Sequence, residues 1–112
     1  MNTELFNQLT PKVIGRIAVD AGAIWIGDPC YVLHKEINPP ESIGNSIDEF
    51  FGMLGNDSHK SFGFDANHEY EGLGVLTVTK HGDGMFNVIG FYEEGSNRPS
   101  CVMVDFHGVF RQ

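Results

Sequence analysis

The sequence predicts a mainly β, α+β fold: a compact antiparallel sheet or small barrel-like domain with one helix. Three observations carry that prediction. Short apolar runs alternate with polar residues at a period of two in the first and last thirds of the chain. Gly, Asp and Asn gather between those runs, where turns belong. Only one segment beyond the first ten residues, "SIDEFFGML" from Ser46, has apolar residues at helical spacing. The length of 112 residues and the 41% apolar content suit one domain, 1–112, with one ordinary core.

The elements follow in order. "MNTELFNQLT" reads as a short helical turn or arm with Leu5, Phe6 and Leu9 on one face, stopped by Pro11. Val13–Asp20 reads as a strand, with Val13, Ile17 and Val19 on one face and Ile14, Arg16, Ala18 and Asp20 on the other. Ala21-Gly22 is a tight connection to a second strand, Ala23–Gly27, with Ile24 and Ile26 inward and Trp25 on the opposite face; the two strands read as a hairpin. Ser46 is a helix cap with Glu49 three residues on, and Ile47, Phe50, Phe51 and Leu54 make the buried stripe. Gly55-Asn56 ends the helix. Asp57–Gly74 reads as a long loop with a short strand at Ser61–Asp65. Val75–Lys80, Met85–Tyr92 and Ser100–Phe106 then form an antiparallel meander through turns at His81–Gly84 and Gly95–Asn97.

Bulk properties exclude several function classes. Seven Lys and Arg stand against fifteen Asp and Glu, for a net charge of −8. Generic binding to nucleic acid or to an anionic membrane needs basic surface, so neither is expected. No apolar run approaches the roughly 20 residues of a spanning helix. The N-terminal segment lacks the basic and apolar regions of a signal peptide, which points to the cytoplasm. Cys30 and Cys101 fit that compartment as unpaired thiols, and neither belongs to a CxxC motif.

Two segments carry a resemblance. "VDAGAIWIGDP", Val19–Pro29, resembles the opening signature of a family of uncharacterised bacterial and phage proteins. "HGDGMFNVIGFYEEGSNRPSCVMVDF", His81–Phe106, is similar to that family's closing meander, with its Gly-Asp-Gly turn and final Val-Asp-Phe. The resemblance implies a shared fold and a phage or prophage source, and it implies no catalyst.

The chemistry-bearing residues read as follows. In Asp28-Pro29-Cys30, Pro29 cannot continue an interior ladder. Asp28 can accept an amide hydrogen bond from a residue just beyond, as in an Asx turn. Strand termination therefore explains the motif without chemistry. The sharper reading makes Cys30 a nucleophile with a histidine base. The five histidines, His34, His59, His68, His81 and His107, show no metal-ligand spacing, so no metal or other cofactor is expected. Asp20 and Asp105 are candidates for buried carboxylates that fix a loop.

The favoured reading is a small non-enzymatic binding protein. On the strength of the resemblance it is phage-encoded and acts in the host cytoplasm, engaging a host protein or sequestering a small signalling ligand. Nine Phe and loop aromatics suit such contact, and a homo-oligomer is a further option. The ligand- or partner-binding residues expected are Asp28, Cys30, Tyr31, His68, Tyr70, His81 and Asp83, with no catalytic residue assigned. The alternatives are a small hydrolase or metal-assisted enzyme using Asp28, Cys30 and a histidine, and a structural or assembly protein.

Overall fold

The structure is a computed structural model and describes residues 1–30, 46–63 and 71–110. It is mainly β, with α1 (Thr3–Asn7), β1 (Thr10–Val19), β2 (Ala23–Gly27), α2 (Ile47–Gly52), β3 (His59–Gly63), β4 (Glu71–Val78), β5 (Gly84–Tyr92) and β6 (Cys101–Asp105). All recorded pairings are antiparallel. The strands form two three-stranded sheets, β1-β5-β6 and β2-β4-β3. These sheets belong to two compact units, Met1–Gly22 with Lys80–Gln112, and Ala23–Thr79.

In the first unit β5 is the central strand, and β1 and β6 pair on its two sides. Pro11 sits in β1, an edge strand, where a missing amide hydrogen is tolerated. Ile14 is the extra residue of a bulge: Val13 faces Ile89, and Gly15 faces Val88. A bulge shifts the alternation by one residue. Val13 therefore shares a face with Ile89, and Ile17 shares the opposite face with Phe86. This corrects the expectation that Val13, Ile17 and Val19 line one face. Asn2 caps α1 by accepting from the Leu5 amide at 3.0 Å. Phe6 then packs on Phe91 with ring centroids 5.1 Å apart, and Phe110 packs on the same ring at 5.6 Å.

In the second unit the core is Leu54, Phe62, Leu73 and Leu76, closed by Ala23, Trp25, Phe50, Phe51 and Met53. Ser46 caps α2, accepting from the Glu49 amide at 3.1 Å. The helix is only six residues long. Its apolar stripe is therefore shorter than expected: Ile47 is 71% exposed, while Leu54 lies beyond the helix and is buried. Trp25 faces the core against Phe50 and Phe62, and Ile26 is 56% exposed, the reverse of the sequence expectation. Both faces of "AIWIG" are apolar, so period alone could not choose between them. The choice follows from Gly27 and Gly74, which face each other across the β2–β4 ladder. A Cβ on Gly74 would come within 2.3 Å of Trp25 Cζ2, and one on Gly27 within 2.8 Å of Trp25 Nε1. Two missing side chains make the room that the indole fills.

Two expected connections differ. β1 and β2 are not a hairpin, because they belong to separate sheets. The Gly22 amide instead donates to Asp83 Oδ1 at 2.8 Å. Likewise β4 does not join a meander with β5; it is the centre of the other sheet, and of the predicted three strands only β5 and β6 pair as neighbours. The Asp57–Gly74 stretch is less loop than expected, since β3 and the start of β4 lie within it.

Candidate functional site

β2 ends as its sequence dictates. Asp28 Oδ1 accepts from the Cys30 amide at 2.9 Å, the Asx turn expected of Asp-Pro-Cys. Asp28 and Cys30 are both exposed, and neither Cys30 nor Cys101 is in a disulfide. The backbone of Cys30, not its thiol, is what engages the carboxylate.

Around this strand end lies a shallow depression of about 470 Å³, lined by Ile26, Gly27, Asp28, Ser61, Gly72, Leu73, Gly74 and Val75. Its floor follows from the register. Ile26, Val75 and Ser61 stand in one row across β2, β4 and β3, and Ile24, Thr77 and His59 stand in the next row on the same face. Trp25 and Leu76 take the alternate positions and go into the core. The result is a sheet face with its helix on one side and exposed β-branched residues on the other. Val75 is 36% exposed beside the more open Ile26.

The other expected binding residues among those described, His81 and Asp83, sit on the first unit, in the turn before β5. His81 and Asp83 are exposed. The Asp83 carboxylate holds the Gly22 amide, which gives it a structural duty. His81 Nε2 lies 3.0 Å from His107 Nδ1, with ring centroids 5.1 Å apart and planes at 30°. The sequence alone does not pair them, because their meeting depends on the strand register. Asn87 faces Asp105 in the β5–β6 ladder, so the chain beyond β6 returns beside the turn that opens β5.

Asp105 anchors that return. It is 6% exposed and accepts from the amides of His107 at 3.2 Å, Val109 at 3.0 Å and Phe110 at 2.9 Å. The hydrogen bond from Phe110 above all, then that from Val109, holds its carboxyl below the usual carboxylate range, because each favours the charged form. The loop-fixing role expected of a buried carboxylate thus falls to Asp105. Asp20 is exposed, and the register sets it two strands away and several residues along the sheet, so it does not share that role.

Tyr31, His68 and Tyr70 lie outside the described residues. Among the described residues, no group of three or more His, Cys, Asp or Glu is placed to hold a metal ion, and no helix is long and apolar enough to cross a membrane. No protein-family model, curated protein or solved structure matches the chain significantly.

Proposed function

We propose that this is a non-enzymatic binding protein whose working surface is the open face of β2 and β4 at the Asp28 end. The observation that carries the reading is the cross-strand pair Ile26 and Val75, directly opposite one another and exposed, on strands whose other face packs Trp25 and Leu76 against the core. Exposed β-branched residues grouped in this way contribute free energy only when something covers them. The depression is shallow, whereas a small-ligand site buries most of its ligand. A protein partner fits that shape better than a small molecule. The resemblance to bacterial and phage proteins makes a host protein the expected partner.

The hydrolase alternative has less support. It needs thiol, imidazole and carboxylate converging on one reacting atom, and Asp28 is turned to the Cys30 amide. The test is a surface variant, Ile26→Glu with Val75→Glu, compared with the parent for proteins captured from a bacterial host extract and then for binding of each captured protein in purified form. A specific partner held by the parent and lost by a folded variant is the expected result. An identical set of partners, bound equally well, would place the working surface elsewhere.

A further inference from the structure

We propose that His81 and His107 form a two-histidine site for a divalent transition-metal ion of the borderline class, Zn²⁺, Cu²⁺ or Ni²⁺, with water in the remaining positions. The metal chemistry follows from the donors, since imidazole suits these ions and suits Mg²⁺ or Ca²⁺ poorly. The proposal is independent of the binding face on the other unit.

The geometry carries it. Two nitrogens bound to one ion at about 2.0–2.1 Å stand about 2.9–3.4 Å apart when they subtend about 90–110° at the metal. His81 Nε2 and His107 Nδ1 are 3.0 Å apart. The centroid separation of 5.1 Å shows the nitrogens aimed more at each other than at a common point. A hydrogen bond therefore spans them. Entry of an ion moves the donor ring's proton from the bonding nitrogen to that ring's other nitrogen by exchange with solvent, so both rings stay neutral, and it turns each exposed ring slightly, so that both lone pairs meet the ion.

The backbone that carries each ring is tied down. The turn carrying His81 is tied by Asp83 to the Gly22 amide, and the segment carrying His107 is tied by Asp105 through three amides. Fixing the backbone beforehand lowers the ordering cost of binding. The two ligands come from segments far apart in sequence, joined by the β5–β6 ladder, so the site exists only in the folded chain. The net charge of −8 raises the local concentration of cations around the molecule.

The experiment is a Zn²⁺ titration of the full chain followed by the imidazole nitrogen resonances. Those of His81 and His107 should shift together and saturate together near one ion per chain. His81→Gln and His107→Gln should each weaken the affinity by about tenfold or more, in line with losses at other metal sites. The triple variant His34→Gln, His59→Gln, His68→Gln should leave these two resonances titrating as in the parent. Both ligands are exposed, so the single variants should melt as the parent does. Should either fail to fold, the parent titration still decides. Two different saturation points for His81 and His107, or undiminished Zn²⁺ affinity in folded His81→Gln, would overturn the site.

Discussion

Gly74 shows how much one missing side chain can specify. A Cβ there meets Trp25 Cζ2 at 2.3 Å and the Ile26 carbonyl oxygen at 2.7 Å, and the second neighbour is backbone that cannot swing away. Gly74→Ala should cost about 1–3 kcal/mol by overpacking, read as a lower urea midpoint. Gly52 in α2 is the control, since nothing lies within 4 Å of its Cβ position. Gly52→Ala should be neutral or stabilising by up to about 1 kcal/mol. Asp105 makes a pH prediction. Its carboxyl has a lower pKa folded than the ordinary 3.8, chiefly through the Phe110 and Val109 amides. A depressed folded value means stability that is present above pH 4 and is lost as pH falls from there through the folded value. Asp105→Asn cannot accept at both oxygens, so it should flatten this acid limb of the stability profile and lower the midpoint at neutral pH. The loop-fixing role of Asp105 was legible because a carboxylate inside "VMVDFHGV" must find donors. The His81–His107 contact was not, because it depends on which strands pair.

Among the elements, local signals are legible in the sequence and strand pairing is not. Ser46 and Glu49 announced the cap of α2, and the Asp28-Pro29 step announced the end of β2. The stripe of α2 was overextended because six residues make less than two turns, which leaves Ile47 outside. Phe50, held at 5.2 Å from both Trp25 and Phe62, is the residue through which the helix grips the sheet. Phe50→Ala should cost about 2–4 kcal/mol, somewhat less than a fully buried aromatic, and Ile47→Ala should stay within about 0.5 kcal/mol. Equal effects of the two, by chemical denaturation, would contradict the packing described. The β1–β2 hairpin failed as an expectation for a different reason. Ala21-Gly22 permits a tight turn, but the long ladder of β1 with β5 pairs residues far apart in sequence, which no local pattern records. The bulge at Ile14 is equally silent in a run where both faces carry apolar residues.

For the whole molecule, the fold class was legible in the sequence, and the exposed row on which the proposed binding surface rests was not. Alternating runs and turn residues indicated an antiparallel, mainly β chain, and the strands bear that out. The end of β2 was singled out for Asp28 and Cys30, whereas the structure sets beside it the exposed row Ile26 and Val75. That row was hidden because Ile26 reads as core until Trp25 is seen to hold the inner face. Each sheet also offers edge strands, and an edge can recruit a further strand. The binding reading rests on the open face and not on an edge. Amide hydrogen exchange of the complex with a captured partner separates these cases and tests the central claim most directly. The account predicts that partner-dependent slowing falls on β2 and β4, from Ile24 to Asp28 and from Leu73 to Thr77. Slowing confined to β6 or to the turns around His81 and His107, with β2 and β4 unchanged, would contradict it.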